Sequence, residues 1–345
     1  MKKLIAVLMA LALVVCCFAA CGGKTEGDTT TAAEGDTTAA VEGDTTAAEN
    51  TDTVGDNLRF VTGGESGTYY GFGTVIAQHA TNNAGVKITA IAGNGSKANC
   101  EDLQDKAAEL AFCQSDVMAY AYEGTNLFEE KIDCFSTVAA LYTEQVQIVT
   151  CNPEIKTVAD LKGKNVSIGA PGSGVYFNAI DILGVYDLTE DDITPTYQSF
   201  GDSADALKDG LIDAAFIVAG APTTAVTDLA TTKDVYLVSL DDEHVDALIA
   251  KSPFYAKCII AKDVYGLEED CTTVGVGAVI LARNDVSEDA VYALCADIFE
   301  NAADLVDSHA KYGELSLEYA SSITSVPYHA GAVKYFAEKG ITLGE

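Results

Sequence analysis

Two long β-rich runs, Thr137 to Cys151 and Thr273 to Ala282, interrupt an otherwise regular alternation of short apolar runs and helical stretches. Both are long for single strands, so each is expected to cross from one folded region into another. Around them the rhythm is that of a mostly parallel sheet with helices on both faces. The first set reads as strands Leu58 to Thr62 and Val86 to Ala92 and a strand and turn from Leu110 to Asp116, with helices from Tyr69 to about Asn82, from Ser96 to Gln104 and from Val117 to Tyr122. After the first long run the pattern restarts with the strand Asn165 to Gly169, the helix Val175 to Leu183, and strands at Thr194 to Tyr197, Ala214 to Val218 and Val235 to Ser239. A helix is expected from Ser287 to Asp307. The simplest assembly is α/β: two lobes joined by two crossing strands, with residues 57–143 and 276–345 forming a discontinuous first lobe and 144–275 a second.

In open α/β sheets ligands lie beyond the carboxyl ends of the strands, where helix N-termini present unpaired amides. Two glycine-rich turns occupy that place, one in each lobe: Gly63 to Thr68 before the Tyr69 helix, and Gly172-Ser173-Gly174 before the Val175 helix. Closing one lobe on the other would bring both onto one ligand. Gln114-Ser115-Asp116 ends a strand at the same edge, with capping the competing role for Ser115 and Asp116. Tyr69 and Tyr70 open the first helix, one suited to lie over a ligand and the other to pack in the core.

Ahead of these lobes the chain reads differently. Lys2 and Lys3 precede an apolar run from Leu4 to Val15, the length of a signal-peptide core and short for a membrane-spanning helix. Phe18-Ala19-Ala20-Cys21 then resembles a bacterial lipobox, with Phe18 where leucine is usual. Residues 1–20 are thus expected to be removed and Cys21 to carry acyl chains that anchor the protein to the outer face of the cell membrane. Residues 21–56 contain the repeat Glu-Gly-Asp-Thr-Thr at Glu26, Glu34 and Glu42. So polar a stretch cannot bury enough surface to offset its ordering entropy and is expected to be a disordered acidic spacer.

The formal net charge of -32 argues against nucleic acid or anionic lipid surfaces as partners, which select clustered Lys and Arg. Arg59 and Arg283 are the only arginines in the chain. An anionic ligand must therefore be held by backbone amides, hydroxyls or lysine. Of ten cysteines, seven follow Cys21. They read as small core residues, with Cys258 and Cys271, either side of a turn at Gly266, the pair best placed to bridge. His79, His244, His309 and His329 are scattered, and no nucleophile elbow, phosphate cradle or metal-ligand spacing occurs. No catalytic residue, metal or cofactor is expected, and an enzyme is the least supported class.

Several ordered segments resemble one family, the TAXI-type solute receptors of tripartite ATP-independent periplasmic (TRAP) transporters. They are Thr62-Gly63-Gly64 with Gly67-Thr68-Tyr69-Tyr70, Gly95-Ser96 with Asn99, Phe112 to Asp116, Gly169 to Gly174, and Val326 to Ala332. The resemblance implies a type II, Venus-flytrap periplasmic-binding fold, a glutamate-like or dicarboxylate solute, a monomeric receptor and an integral membrane TRAP permease as partner. The candidate ligand-binding residues are Gly64, Ser66, Gly67, Thr68, Tyr69, Asn94, Ser96, Gln114, Ser115, Asp116, Gly172, Ser173, Gly174 and Val175. Glu65 departs from the family pattern. Facing the cleft it would disfavour a dianion and favour an ammonium group; facing solvent it would only complement a helix terminus. A receptor of an ATP-driven importer and an extracellular sensory module are the alternative readings.

Overall fold

A computed structural model describes residues 57–343. The leader, Cys21 and the acidic repeat lie outside the described residues. The first stretch runs β1 (Leu58–Val61), α1 (Thr68–Asn83), β2 (Ile88–Ile91), α2 (Ser96–Gln104), β3 (Leu110–Gln114) and α3 (Ser115–Glu123). The long strand β4 (Phe135–Thr150) follows. Beyond it come β5 (Asn165–Ser167), α4 (Val175–Val185), β6 (Thr194–Thr196), α5 (Phe200–Lys208), β7 (Ala214–Ala219), α6 (Thr224–Ala230), β8 (Tyr236–Leu237), α7 (Asp242–Lys251) and β9 (Ala256–Ile260). The second long strand, β10 (Cys271–Arg283), leads to α8 (Glu288–Glu300), α9 (Ala302–Leu305), α10 (Leu317–Ala320) and α11 (Ala330–Glu338).

The strands share one sheet in the order β2-β1-β3-β10-β4-β7-β5-β6, with β9 on β10 and β8 on β4. In one half β1 lies parallel between β2 and β3, and β3 meets β10 antiparallel. In the other, β5 lies parallel between β6 and β7, and β7 meets β4 antiparallel. The same pattern is thus built twice around two strands that run through both halves and pair with each other from Gly275–Gln145 to Arg283–Phe135. This is the expected α/β, two-lobed periplasmic-binding fold with two crossing strands.

Each half is covered on both faces, which is why its strands read as unbroken apolar runs rather than alternating ones. In β7, Ala214, Phe216 and Val218 face a core with Ile182 and Leu248, whereas Ala215, Ile217 and Ala219 face one with Leu207 and Val226. In the first half Phe60 and Phe112 of the sheet share a core with Phe72 of α1, Leu294 of α8 and Phe336 of α11, and Leu103, Met118 and Phe135 lie on the opposite face. Each such side chain contributes about 1.5–3 kcal/mol by leaving water.

Three expectations are corrected. The Ser287–Asp307 helix stops at Glu300, because Asn301 Nδ2 donates to the Asp297 carbonyl at 2.9 Å and competes with the backbone ladder. The chain between β6 and β9 holds α5, α6 and α7 as well as strands; the side chains of Ser199 and Asp241 cap α5 and α7. Cys258 and Cys271 are both free thiols: Cys258 stands opposite Thr273 and Cys271 opposite Ile260, so the ladder register holds them two residues apart.

Candidate functional site

The C-terminal ends of β1 and β3 in one half face those of β5 and β7 in the other across a cavity of about 130 Å³. That is below the range of drug-sized pockets and suits a small solute. Of the fourteen candidate residues, Gly64, Gly67, Thr68, Tyr69, Asn94, Ser96, Gln114, Ser173, Gly174 and Val175 line it. Both glycine-rich turns therefore meet at one space.

The halves are in contact around that space. Thr68 Oγ1 donates to the Gly220 carbonyl at 2.8 Å, Ala98 N to Gly172 O at 2.9 Å and Ala225 N to Ser66 O at 3.2 Å. Glycines make the approach possible. A Cβ on Gly174 would lie 1.6 Å from Gln114 Oε1, and one on Gly172, whose φ is +83, would lie 3.0 Å from Ala98 Cβ.

Four candidates fall outside the cavity. Ser115 opens α3 directly from β3, against which β10 packs, and its Oγ accepts from Gly277 N at 2.9 Å. Asp116 is fully buried behind Gln114, where it accepts from Asn178 Nδ2 at 3.0 Å; burial pushes its pKa up to about 7 against the hydrogen bonds it receives. Gly172 and Ser66 serve the contacts between halves through their carbonyls. The Ser173 amide is likewise taken, by Ala170 O at 3.0 Å, and that of Phe177 by Gly174 O at 3.1 Å, which leaves the Val175 and Tyr176 amides of α4, with those that open α1, for an anion. Glu65 is exposed and does not line the cavity. Tyr69 is buried and stacks on Phe112 at 4.5 Å, while Tyr70 is half-buried.

Sequence reasoning missed Glu144, Gln198, Ser199 and Phe200, all of which line the cavity. Glu144 sits in the middle of β4, 2% exposed, with its Oε2 accepting from Tyr69 OH at 3.1 Å. Burial, aided by the charge of Asp116, drives its pKa well above the carboxylate range; hydrogen bonds from Tyr69 and Gln114 and the charge of Lys311 pull the other way and do not offset it.

A relay of amides fixes what the cavity wall presents. Tyr255 OH donates to Asp181 at 3.0 Å and accepts from Asn178 Nδ2, which also donates to Asp116. Asn178 Oδ1 is thereby the acceptor for Gln114 Nε2 at 3.1 Å. Gln114 Oε1 is left at the cavity as a buried acceptor without a partner, and Ser173 Oγ is also unpartnered.

No arginine reaches this place. Arg59 and Arg283 both converge on Glu109, just before β3 and at the opposite end of that strand from Gln114. Burial alone would raise the Glu109 pKa, but its hydrogen bonds and ion pair with Arg59, backed by Arg283, hold it below the usual range. Among the described residues no group of three or more His, Cys, Asp or Glu is placed to hold a metal, and no helix is long and apolar enough to cross a membrane.

Among solved structures, the alkanesulfonate-binding protein SsuA of Xanthomonas axonopodis pv. citri, bound to MOPS, is 16% identical, with a TM-score of 0.47 over 81% of this chain and 83% of that one. The methylphosphonate complex of PhnD1 from Prochlorococcus marinus is 11% identical, with a TM-score of 0.48 over 75% and 88%. AbpA of Streptococcus pneumoniae, an amino acid ABC transporter substrate-binding protein bound to L-arginine, is 15% identical, with a TM-score of 0.43 over 75% and 92%. The model of the NMT1-like family matches residues 60–340, nearly the whole of the described sheet and its helices. The chain belongs to the NMT1-like family.

Proposed function

We propose that this chain captures a small carboxylate or amino acid outside the cell and delivers it to an integral membrane permease. The observation that carries the reading is the cavity itself. It is walled by both halves, and it holds two buried polar side-chain atoms, Gln114 Oε1 and Ser173 Oγ, that lack any partner within the protein. Buried polar atoms are nearly always satisfied, so a polar guest completes the wall. The halves at 57–143 with 276–345 and at 144–275 then act as lobes that close on the solute about β4 and β10. The lining set from Gly64 to Val175 named above is its contact surface, extended by Glu144 and Phe200. Mass spectrometry of solute released from gently purified protein tests this. A retained small carboxylate or amino acid supports it, and a chain that retains none and is not stabilised by any such compound in a melting assay is not a receptor for them.

Two permease classes fit such a receptor. The ion-gradient-driven TRAP class rests on the motifs between Thr62 and Ala332; the comparisons lie nearer to the ATP-driven class, in which the similar arginine-bound protein works. Uptake in vesicles separates them: collapse of the ion gradient stops the first, and omission of ATP the second. Attachment to the membrane through Cys21 is part of the proposal: Cys21→Ser should leave unprocessed or unlipidated protein, and a variant that still partitions into detergent like the wild type overturns the anchor.

A further inference from the structure

The cavity wall offers hydrogen-bond acceptors where an anion receptor would offer donors. Glu144 brings a buried carboxyl group bonded by Tyr69 OH and beside the Gln114 amide, and Gln114, whose Nε2 donates to Asn178, leaves its oxygen without a partner. No positive side chain lines the cavity. Lys311, whose charge acts on Glu144, places its Nζ 3.0 Å from Ala221 O, pairs with Glu314 and lies over the Tyr142 ring at 5.3 Å. A buried carboxyl without a cation is costly to ionise, and a guest that brings a positive charge removes that cost. The Val175 and Tyr176 amides at the start of α4 remain available for a carboxylate.

We propose that Glu144 and Gln114 Oε1 form a subsite for the protonated amine of the solute, so that the cavity selects zwitterionic amino acids and rejects dicarboxylates and amine-free acids. The inference deepens the receptor reading and rests on it. Each ammonium bond to a charged partner is of the class that contributes about 1.5–3 kcal/mol. Glu144 thus acts as the charge filter for which Glu65, at the exposed rim, is wrongly placed.

The test is calorimetric titration of the full chain with matched pairs: glycine against glycolate, alanine against lactate, glutamate against 2-hydroxyglutarate, with succinate as the dianion. At least one amino acid is expected to bind tenfold to a hundredfold more tightly than its hydroxy partner. Glu144→Gln should abolish that ratio by weakening only the amine-bearing member. Gln114→Met, which removes the oxygen and keeps the Glu144 carboxyl, should reduce the same ratio and serves if the first variant does not fold. Equal or tighter binding of a hydroxy acid or succinate by the wild type overturns the subsite while leaving the receptor reading intact, as does an unchanged ratio in the folded variants. Binding of no compound from either set, by a chain that also retains no solute on purification, overturns the receptor reading and the subsite together.

Discussion

Asn178 Nδ2 stands 3.0 Å from Asp116 Oδ2, linking a helix of one half to a buried carboxyl of the other. Since Asn178 must donate to Asp116, its oxygen must accept from Gln114, and Gln114 must in turn show its own oxygen to the cavity. One buried carboxyl thereby sets the chemistry of a wall it does not touch.

Asp116 gives a pH signature of stability. Its folded pKa, raised to about 7, lies above the usual aspartate value, so its contribution is fully present below about pH 4 and is lost as pH rises through 7. Asp116→Asn keeps an acceptor for Asn178 and cannot ionise. Denaturant unfolding should show the variant more stable than wild type at pH 8, by up to about 4 kcal/mol, and no such gain at pH 4.

Gly174→Ala should damage closure without damaging the fold. Its Cβ would meet Gln114 Oε1 at 1.6 Å, and that amide is tied to Asn178 and cannot simply swing aside. Solute affinity is expected to fall about tenfold to a hundredfold, equivalent to about 1.4–2.8 kcal/mol. Pairing it with Gln114→Ala should restore closure, checked by small-angle scattering of the two variants, though not the affinity.

Glu109→Ala should cost stability and leave binding alone. It strips Arg283, only 5% exposed, and Arg59 of their shared carboxylate. Removing one partner of a buried ion pair costs about 3–5 kcal/mol. Because Glu109 precedes β3 and the cavity lies beyond its other end, titration of the folded fraction should return the wild-type dissociation constant.

Ser115→Ala separates a role in the frame from a role at the solute. It leaves the buried Gly277 amide without its acceptor, which should lower stability by about 1–3 kcal/mol. Ligand affinity should change less than threefold, or about 0.7 kcal/mol; a hundredfold loss in a folded variant would mean that the hydroxyl reaches the solute after all.

The frame was legible because it rests on local rules. Strand, glycine turn and helix recur at both ends of the cavity, and the turns from Gly63 and Gly172 fall where the sheet opens. Glu144 was not legible. Thr143-Glu144-Gln145 is a run of three polar residues inside a long β-rich stretch, which reads as a solvated patch of the strand. Helices cover that strand on both sides, and only the fold shows that Glu144 is 2% exposed. The α5 and α7 helices did leave signals, the caps at Ser199 and Asp241, which the weight given to apolar runs obscured. Ser115 and Asp116 were legible as polar residues at a strand end, but which way each turns depends on β10 and α4, elements distant in sequence.

Glu144 stands opposite Val276 where β4 and β10 pass each other, and beside it Gly275, where a Cβ would lie 2.6 Å from Thr143 Cγ2, lets the two strands approach closely. A solute gripped there is held near the axis of the proposed closing motion, where a contact has almost no lever arm. The torque that shuts the lobes must come from the rim instead, from Thr68 against Gly220 and from the approach of Gly67 to Phe200. Glu144 is thus placed to read the solute's charge while adding little to the leverage of closure.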